Sequence, residues 1–317
     1  MKLHKLLLLT LLFNFGLSYV AAQSSSVADN SKNRNPSVIK ILAIGNSFSQ
    51  DAIETYLFEL AQADNIKVII GNLYIGGASL DLHWDNAKDD KSAYHYRKID
   101  VSGNKTNTPE TSISNALADE DWDYISFQQV SSNSGIFHTY INPLPLLFDY
   151  VKQRATNPDA KYILHQTWAY AQDSNHKRFI NYSNDQMTMY KAIVDAVNRA
   201  KRLASIDIIV PAGTAIQNGR TSTIGDNFCR DGYHLDINIG RYTAACTWFE
   251  AIFEKSVIGN SYKPEAISDY EAEIAQHAAH YAVMKPKEIT EMSEFYKKVA
   301  MLIKSVTLER FIFADAV

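Results

Sequence analysis

The chain has 317 residues, enough for one large domain or two small ones. Its composition is 46% hydrophobic and 21% charged, with 18 Tyr and 14 Phe, as in an ordinary globular enzyme. A net charge of −4 leaves no basic footprint, so nucleic acid is excluded as an expected partner.

Lys2 and Lys5 precede an apolar run, Leu6–Leu12, that thins out towards Val20, and Val20-Ala21-Ala22 supplies small residues before Gln23. Residues 1–22 therefore read as a signal peptide cleaved after Ala22, too short and interrupted for a membrane anchor. Its loss would leave 29 basic and 35 acidic residues, a net charge of −6. An exported protein, periplasmic or secreted, without stable membrane insertion, is the expectation. Residues 23–36 are polar and Ser/Asn-rich and read as a disordered leader. A single folded domain is expected over 37–305, with 306–317 as a tail.

Val38, Ile39, Ile41, Leu42 and Ile44 form a nearly continuous apolar run, the pattern of a strand buried on both faces. It stops at Gly45-Asn46-Ser47. Beyond it, Ile53, Tyr56, Leu57, Leu60 and Ala61 fall at helical spacing, with Asp51 and Glu54 as a capping-box-like start. Lys67–Ile75 reads as a second strand ending at Gly76-Gly77, followed by a short helix or turn over Ser79–Asn86. Tyr94–Val101 reads as an excursion strand, and Thr111–Ala118 as a short helix. Asp123–Phe127 is the third core strand and runs into Gln128-Gln129. Pro143–Arg154 is an amphipathic helix, and Lys161–Leu164 a fourth strand that ends at His165-Gln-Thr-Trp-Ala-Tyr170. A long helix with Met187, Tyr190, Val194 and Val197 on one face precedes a fifth strand, Ile206–Val210. Ile239–Phe253 is a helix with Tyr242, Ala245, Cys246, Phe249 and Phe253 inward. Two more helices, broken at Pro286, are expected between Pro264 and Ser305.

Alternating strands and helices predict an α/β three-layer sandwich, with a mostly parallel five-stranded sheet of flavodoxin-like order 2-1-3-4-5 and helices on both faces. In that order a crevice opens beyond the carboxyl ends of strands one and three, where Ser47 and Gln128 stand. Asp231 and His234, three residues apart in Arg230-Asp-Gly-Tyr-His-Leu-Asp236, can pair carboxylate to imidazole and leave the second ring nitrogen for Ser47. The backbone N–H groups of Ser47 and Gly77, and the Gln128 side chain, are candidate oxyanion donors, with Gln129 and Asn133 as polar loop residues. Trp168 and Tyr170 are candidate substrate-stacking residues, with His83, Trp84 and His165 as further cleft residues. His277 and His280 read as a helix-surface pair, so neither a metal nor an organic cofactor is expected. Cys229 and Cys246 are either bridged or free.

Gly45-Asn-Ser47-Phe-Ser, Gly76-Gly-Ala-Ser79 and Asp231-Gly-Tyr-His234 together resemble blocks I, II and V of the SGNH (GDSL-type) hydrolase superfamily. Trp122–Gln129, Gln166–Tyr170 and Arg230–Leu235 resemble a bacterial branch of secreted SGNH-like proteins. The resemblance implies Ser47 as nucleophile, His234 as base, Asp231 as its orienter, and the Ser47 and Gly77 N–H groups in the oxyanion hole. Two positions depart from the pattern. Asn46 stands for the usual Asp, and the Gly-x-Asn of block III has no counterpart, leaving Gln128 as its substitute. The implied activity is hydrolysis of an ester, with a carbohydrate O-acyl (acetyl) ester as the expected glycan substrate. The rival readings are a lipid esterase, and a non-catalytic glycan-binding or structural protein that keeps the fold. A Ser47 Oγ within about 3.2 Å of a His234 nitrogen would favour an enzyme.

Overall fold

The structure is a computed structural model, and it describes residues 38–296. The signal peptide and the leader expected from the sequence lie outside these residues, and the second C-terminal helix, expected between Pro286 and Ser305, lies only partly within them.

A seven-stranded mixed sheet forms the centre, in the order β4-β3-β2-β1-β5-β6-β7. Its strands are β1 (Ile39–Gly45), β2 (Val68–Tyr74), β3 (Tyr94–Ile99), β4 (Lys105–Thr111), β5 (Tyr124–Phe127), β6 (Lys161–His165) and β7 (Ile208–Val210). The expected five-stranded sheet is corrected to seven. Five strands, β2-β1-β5-β6-β7, are parallel throughout. The antiparallel hairpin β3–β4 extends the β2 edge. The reason is visible in β4, Lys-Thr-Asn-Thr-Pro-Glu-Thr, which is exposed along all but its last residue. Such a strand carries no apolar alternation to announce it, and Pro109 suits an edge where no partner needs an N–H.

Ten helices are described: α1 (Ser47–Ile53), α2 (Leu57–Ala63), α3 (Leu80–Lys88), α4 (Ile113–Asp119), α5 (His138–Ile141), α6 (Pro143–Arg154), α7 (Gln186–Ala200), α8 (Ala212–Arg220), α9 (Ile239–Phe253) and α10 (Asp269–Met284). Helices α1, α2, α8, α9 and α10 pack among themselves, and α3 to α6 form a second group. From Ile41 to Gly45 strand β1 is buried at every position, as a central strand covered on both faces must be.

Three local expectations change. The single helix predicted around Ile53–Ala61 is two, and its start lies at Asn46 rather than at Asp51. Helix α7 buries Met189, Tyr190, Ile193, Ala196, Val197 and Ala200, so its inner face is rotated from the predicted one and leaves Met187 and Val194 half-buried. Helix α8 had no predicted counterpart. All nine of its residues are buried, yet it is short, holds two glycines and has Ile216 as its one large apolar side chain, too little to mark a helical stripe.

Cys229 and Cys246 are free thiols. Among the described residues no helix is long and apolar enough to cross a membrane. Leu42, fully buried in β1, gives the core its first test. Leu42→Ala should lower stability by about 3 kcal/mol in urea denaturation, whereas Thr108→Ala on exposed β4 should stay within about 0.5 kcal/mol.

Candidate active site

Strand β1 ends at Gly45 and helix α1 begins at Ser47, with only Asn46 between them. A Cβ on Gly45 would lie 2.4 Å from Ser49 Oγ, so only glycine allows so abrupt a turn. Asn46 caps the helix, its Oδ1 accepting the Phe48 N–H at 2.9 Å. Ser47 is thereby the first helical residue, at the carboxyl edge of the central strand.

The partner loop is built by local hydrogen bonds. Cys229 and Leu235 form an isolated antiparallel bridge, and the Arg230 N–H donates to the His234 carbonyl at 2.9 Å. Asp231 Oδ1 accepts the N–H groups of Tyr233 (3.2 Å) and His234 (2.7 Å). Its Oδ2 accepts from His234 Nδ1 at 2.7 Å. That bond places the ring proton on Nδ1 and leaves the Nε2 lone pair for Ser47 Oγ, 2.9 Å away. Partial burial works against the Asp231 charge. The hydrogen bonds from the His234 ring and the two N–H groups outweigh it and hold the carboxyl below its ordinary range.

Asp51, one turn after Ser47, joins the two halves. It is 1% exposed and accepts the Leu235 N–H at 2.9 Å. Arg241 on α9 pairs with it at 2.7 Å and Arg230 at 3.3 Å, and Arg230 also donates to the Leu235 carbonyl. By sequence Asp51 reads as part of a helix cap. Its true role has a signal in the two arginines that flank the Asp231/His234 motif.

Gln128 is not in the oxyanion position expected for it. It is buried beneath the turn, where its Nε2 donates to Asn46 Oδ1 at 2.7 Å and its Oε1 accepts from His165 Nδ1 at 3.0 Å. Asn46 Nδ2 in turn donates to the Ala78 carbonyl at 2.9 Å, tying the Ser47 turn to the loop that carries Gly77. Burial pushes the His165 pKa down to about 3, so this chain of amide and imidazole is neutral. Gly77 adopts φ +67° and lines the cavity, and neither its N–H nor that of Ser47 is engaged by another group among the described residues.

Trp168 and Tyr170 are likewise corrected, since both are fully buried and cannot stack on a ligand. Trp168 lies flat on Phe48, with 4.3 Å between ring centroids, and donates to the Tyr233 carbonyl at 2.8 Å. Tyr170 meets Ser131 Oγ through its hydroxyl at 2.9 Å. These rings brace the segments that carry Ser47 and His234 from behind. His83 is enclosed against Tyr94, Gln129 bonds to Leu80 and Thr139, and His280 pairs with buried Glu250.

In front of Ser47 lies a cavity of about 340 Å³. Its aromatic walls are Phe48, Tyr74 and Tyr233, and its polar lining comes from Ser131, Ser132, His176 and His234. Tyr74 is backed by the Arg97 guanidinium of the β3–β4 hairpin, 3.7 Å from the ring centre. Tyr74, His176 and Tyr233 were not among the predicted cavity residues. Among the described residues no cluster of three or more His, Cys, Asp or Glu could hold a metal.

The Asp51 clamp can be tested directly. Asp51→Ala leaves two arginines without their buried partner and should cost about 2–3 kcal/mol in urea denaturation. That is less than for a wholly buried pair, because Arg230 is one-third exposed.

No curated protein matches this chain. A crystal structure of a DUF4886 family protein from Bacteroides uniformis is similar at 53% identity and TM-score 0.80, covering 81% of this chain and 99% of that one. A candidate SGNH hydrolase from Slackia heliotrinireducens is 19% identical at TM-score 0.48, covering 68% and 100%. A variant of an acetyl xylan esterase from Geobacillus stearothermophilus is 12% identical at TM-score 0.43, covering 72% and 97%. Neither of these last two likenesses is close enough to transfer an activity. The family described as "Domain of unknown function (DUF4886)" matches residues 40–282, and the chain belongs to that family.

Proposed function

We propose that this protein is an SGNH-type serine hydrolase that cleaves an ester through an acyl-enzyme. The observation that carries this reading is the chain Ser47 Oγ–His234 Nε2–His234 Nδ1–Asp231 Oδ2, at 2.9 and 2.7 Å. Asp231, held as a carboxylate, keeps the His234 proton on Nδ1. The free Nε2 then takes the Ser47 proton as Oγ attacks the acyl carbonyl. The imidazolium so formed lies against Asp231 and returns the proton to the departing alcohol. Water repeats the sequence on the acyl-enzyme, with His234 again as base.

Charge that develops on the carbonyl oxygen is met by the unengaged N–H groups of Ser47 and Gly77. Asn46 sets their separation, because it caps α1 and grips the Ala78 carbonyl at the same time. For substrate we propose a carbohydrate O-acyl ester, an acetyl ester in the first instance. A cavity of about 340 Å³ is at the small end for ligand sites and suits a short acyl group. Hydroxyls, imidazoles and aromatic rings share its walls, as recognition of a sugar requires. Export to the periplasm or beyond belongs to the same proposal and rests on the pattern of residues 1–22.

Acetate release from a panel of acetylated glycans and from a small activated ester tests the reaction. Ser47→Ala and His234→Ala should each lose at least about 10⁴-fold in kcat. Release that survives Ser47→Ala would reject the mechanism. Asn46→Ala should lower kcat roughly tenfold with little change in KM, because it loosens donors used mainly in the transition state.

A further inference from the structure

His176 lines the cavity, and its ring has a hydrogen-bonding atom that the protein leaves unused. The segment before it is tied to the catalytic loop by the Ala171 N–H, which donates to the Gly232 carbonyl at 2.8 Å. His176 then caps the 3-10 turn Lys177–Tyr182, its Nδ1 accepting the Arg178 N–H at 3.2 Å. An accepting Nδ1 in a neutral ring puts the proton on Nε2. Among the described residues nothing bonds to that Nε2–H. The ring is fixed by packing, at 4.9 Å from Tyr233 and 4.8 Å from Tyr170. Partial burial, with the Arg178 guanidinium and the His234 ring nearby, holds its ionisation below the ordinary imidazole range.

Which half of an ester it meets follows from His234. The acid that protonates the leaving oxygen must stand beside it, so the alcohol half lies on the His234 side of Ser47. Tyr233 and His176 are on that side, the Tyr233 ring 4.2 Å from His234 and next to His176. Ser131 and Ser132 reach the cavity separately, from the loop after β5.

We propose that His176 binds the alcohol half of the substrate, donating from Nε2 to a hydroxyl or ring oxygen beside the ester, and so selects esters of sugar hydroxyls over those of simple alkyl or aryl alcohols. The proposal rests on the ester-hydrolase reading above.

Wild type, His176→Phe and His176→Asn are compared on a methyl O-acetyl-xylopyranoside and on 4-nitrophenyl acetate, which share an acyl group. Phenylalanine keeps the ring packing and removes the donor. Asparagine keeps an oxygen for the cap but is too short to reach into the cavity. Both variants should lose about tenfold more kcat/KM on the glycoside than on the aryl ester, mostly through KM. Equal losses on the two esters, or none, overturn the proposal. So does wild-type behaviour of His176→Asn, which would make capping the only role of His176. Should His176→Phe not fold, the asparagine variant decides alone. Failure of folded wild type to turn over either ester would instead overturn the hydrolase reading, and this proposal with it.

Discussion

A single buried carboxylate, Asp51, is the constraint on which the site depends. Ser47 and His234 are 187 residues apart in sequence and belong to segments with no covalent reason to meet. Asp51 sits one turn after the serine, and its charge cannot remain in the interior without partners. Those partners, the Leu235 N–H and the Arg230 and Arg241 guanidiniums, lie immediately around the histidine. Satisfying the charge therefore brings His234 to Ser47. The cost of burying an ion is offset only in the geometry that also aligns Asp231, His234 and Ser47.

Beneath the nucleophile the design is of the opposite kind. Where the SGNH pattern has an aspartate, Asn46 offers both an acceptor and a donor, and it uses each. A carboxylate there would have nothing to donate to the Ala78 carbonyl. His165 donates to Gln128, and Gln128 donates to Asn46, so each group fixes the orientation of the next. The groups of this network beneath Ser47 carry no net charge. The altered residues of the first and third blocks are thus parts of one arrangement, since Gln128 supports Asn46.

Residues whose role is local were legible in the sequence. The apolar run of β1, the break at Gly45 and the three-residue spacing of Asp231 and His234 each declare their structure within a few positions. Residues whose role is set by distant partners were not. Gln128 and Trp168 have the chemistry of ligand-binding groups, and only the packing shows that both face inward to Asn46 and Phe48. Asp51 looks like a cap because its arginines are about 180 residues away. Helix α8 is not legible because its nine residues include two glycines and a single large apolar side chain, Ile216, too few to trace a stripe.

The Arg97–Tyr74 contact sets the β3–β4 hairpin in a particular light. The hairpin hangs on the edge of the sheet, outside the parallel strands that hold Ser47, and its outer strand is almost wholly in solvent. Yet through one guanidinium it leans on a wall of the cavity. Diversification of this appendage, by evolution or in the laboratory, can thus reshape the cavity wall while the strands and loops that bring Ser47 to His234 stay as they are.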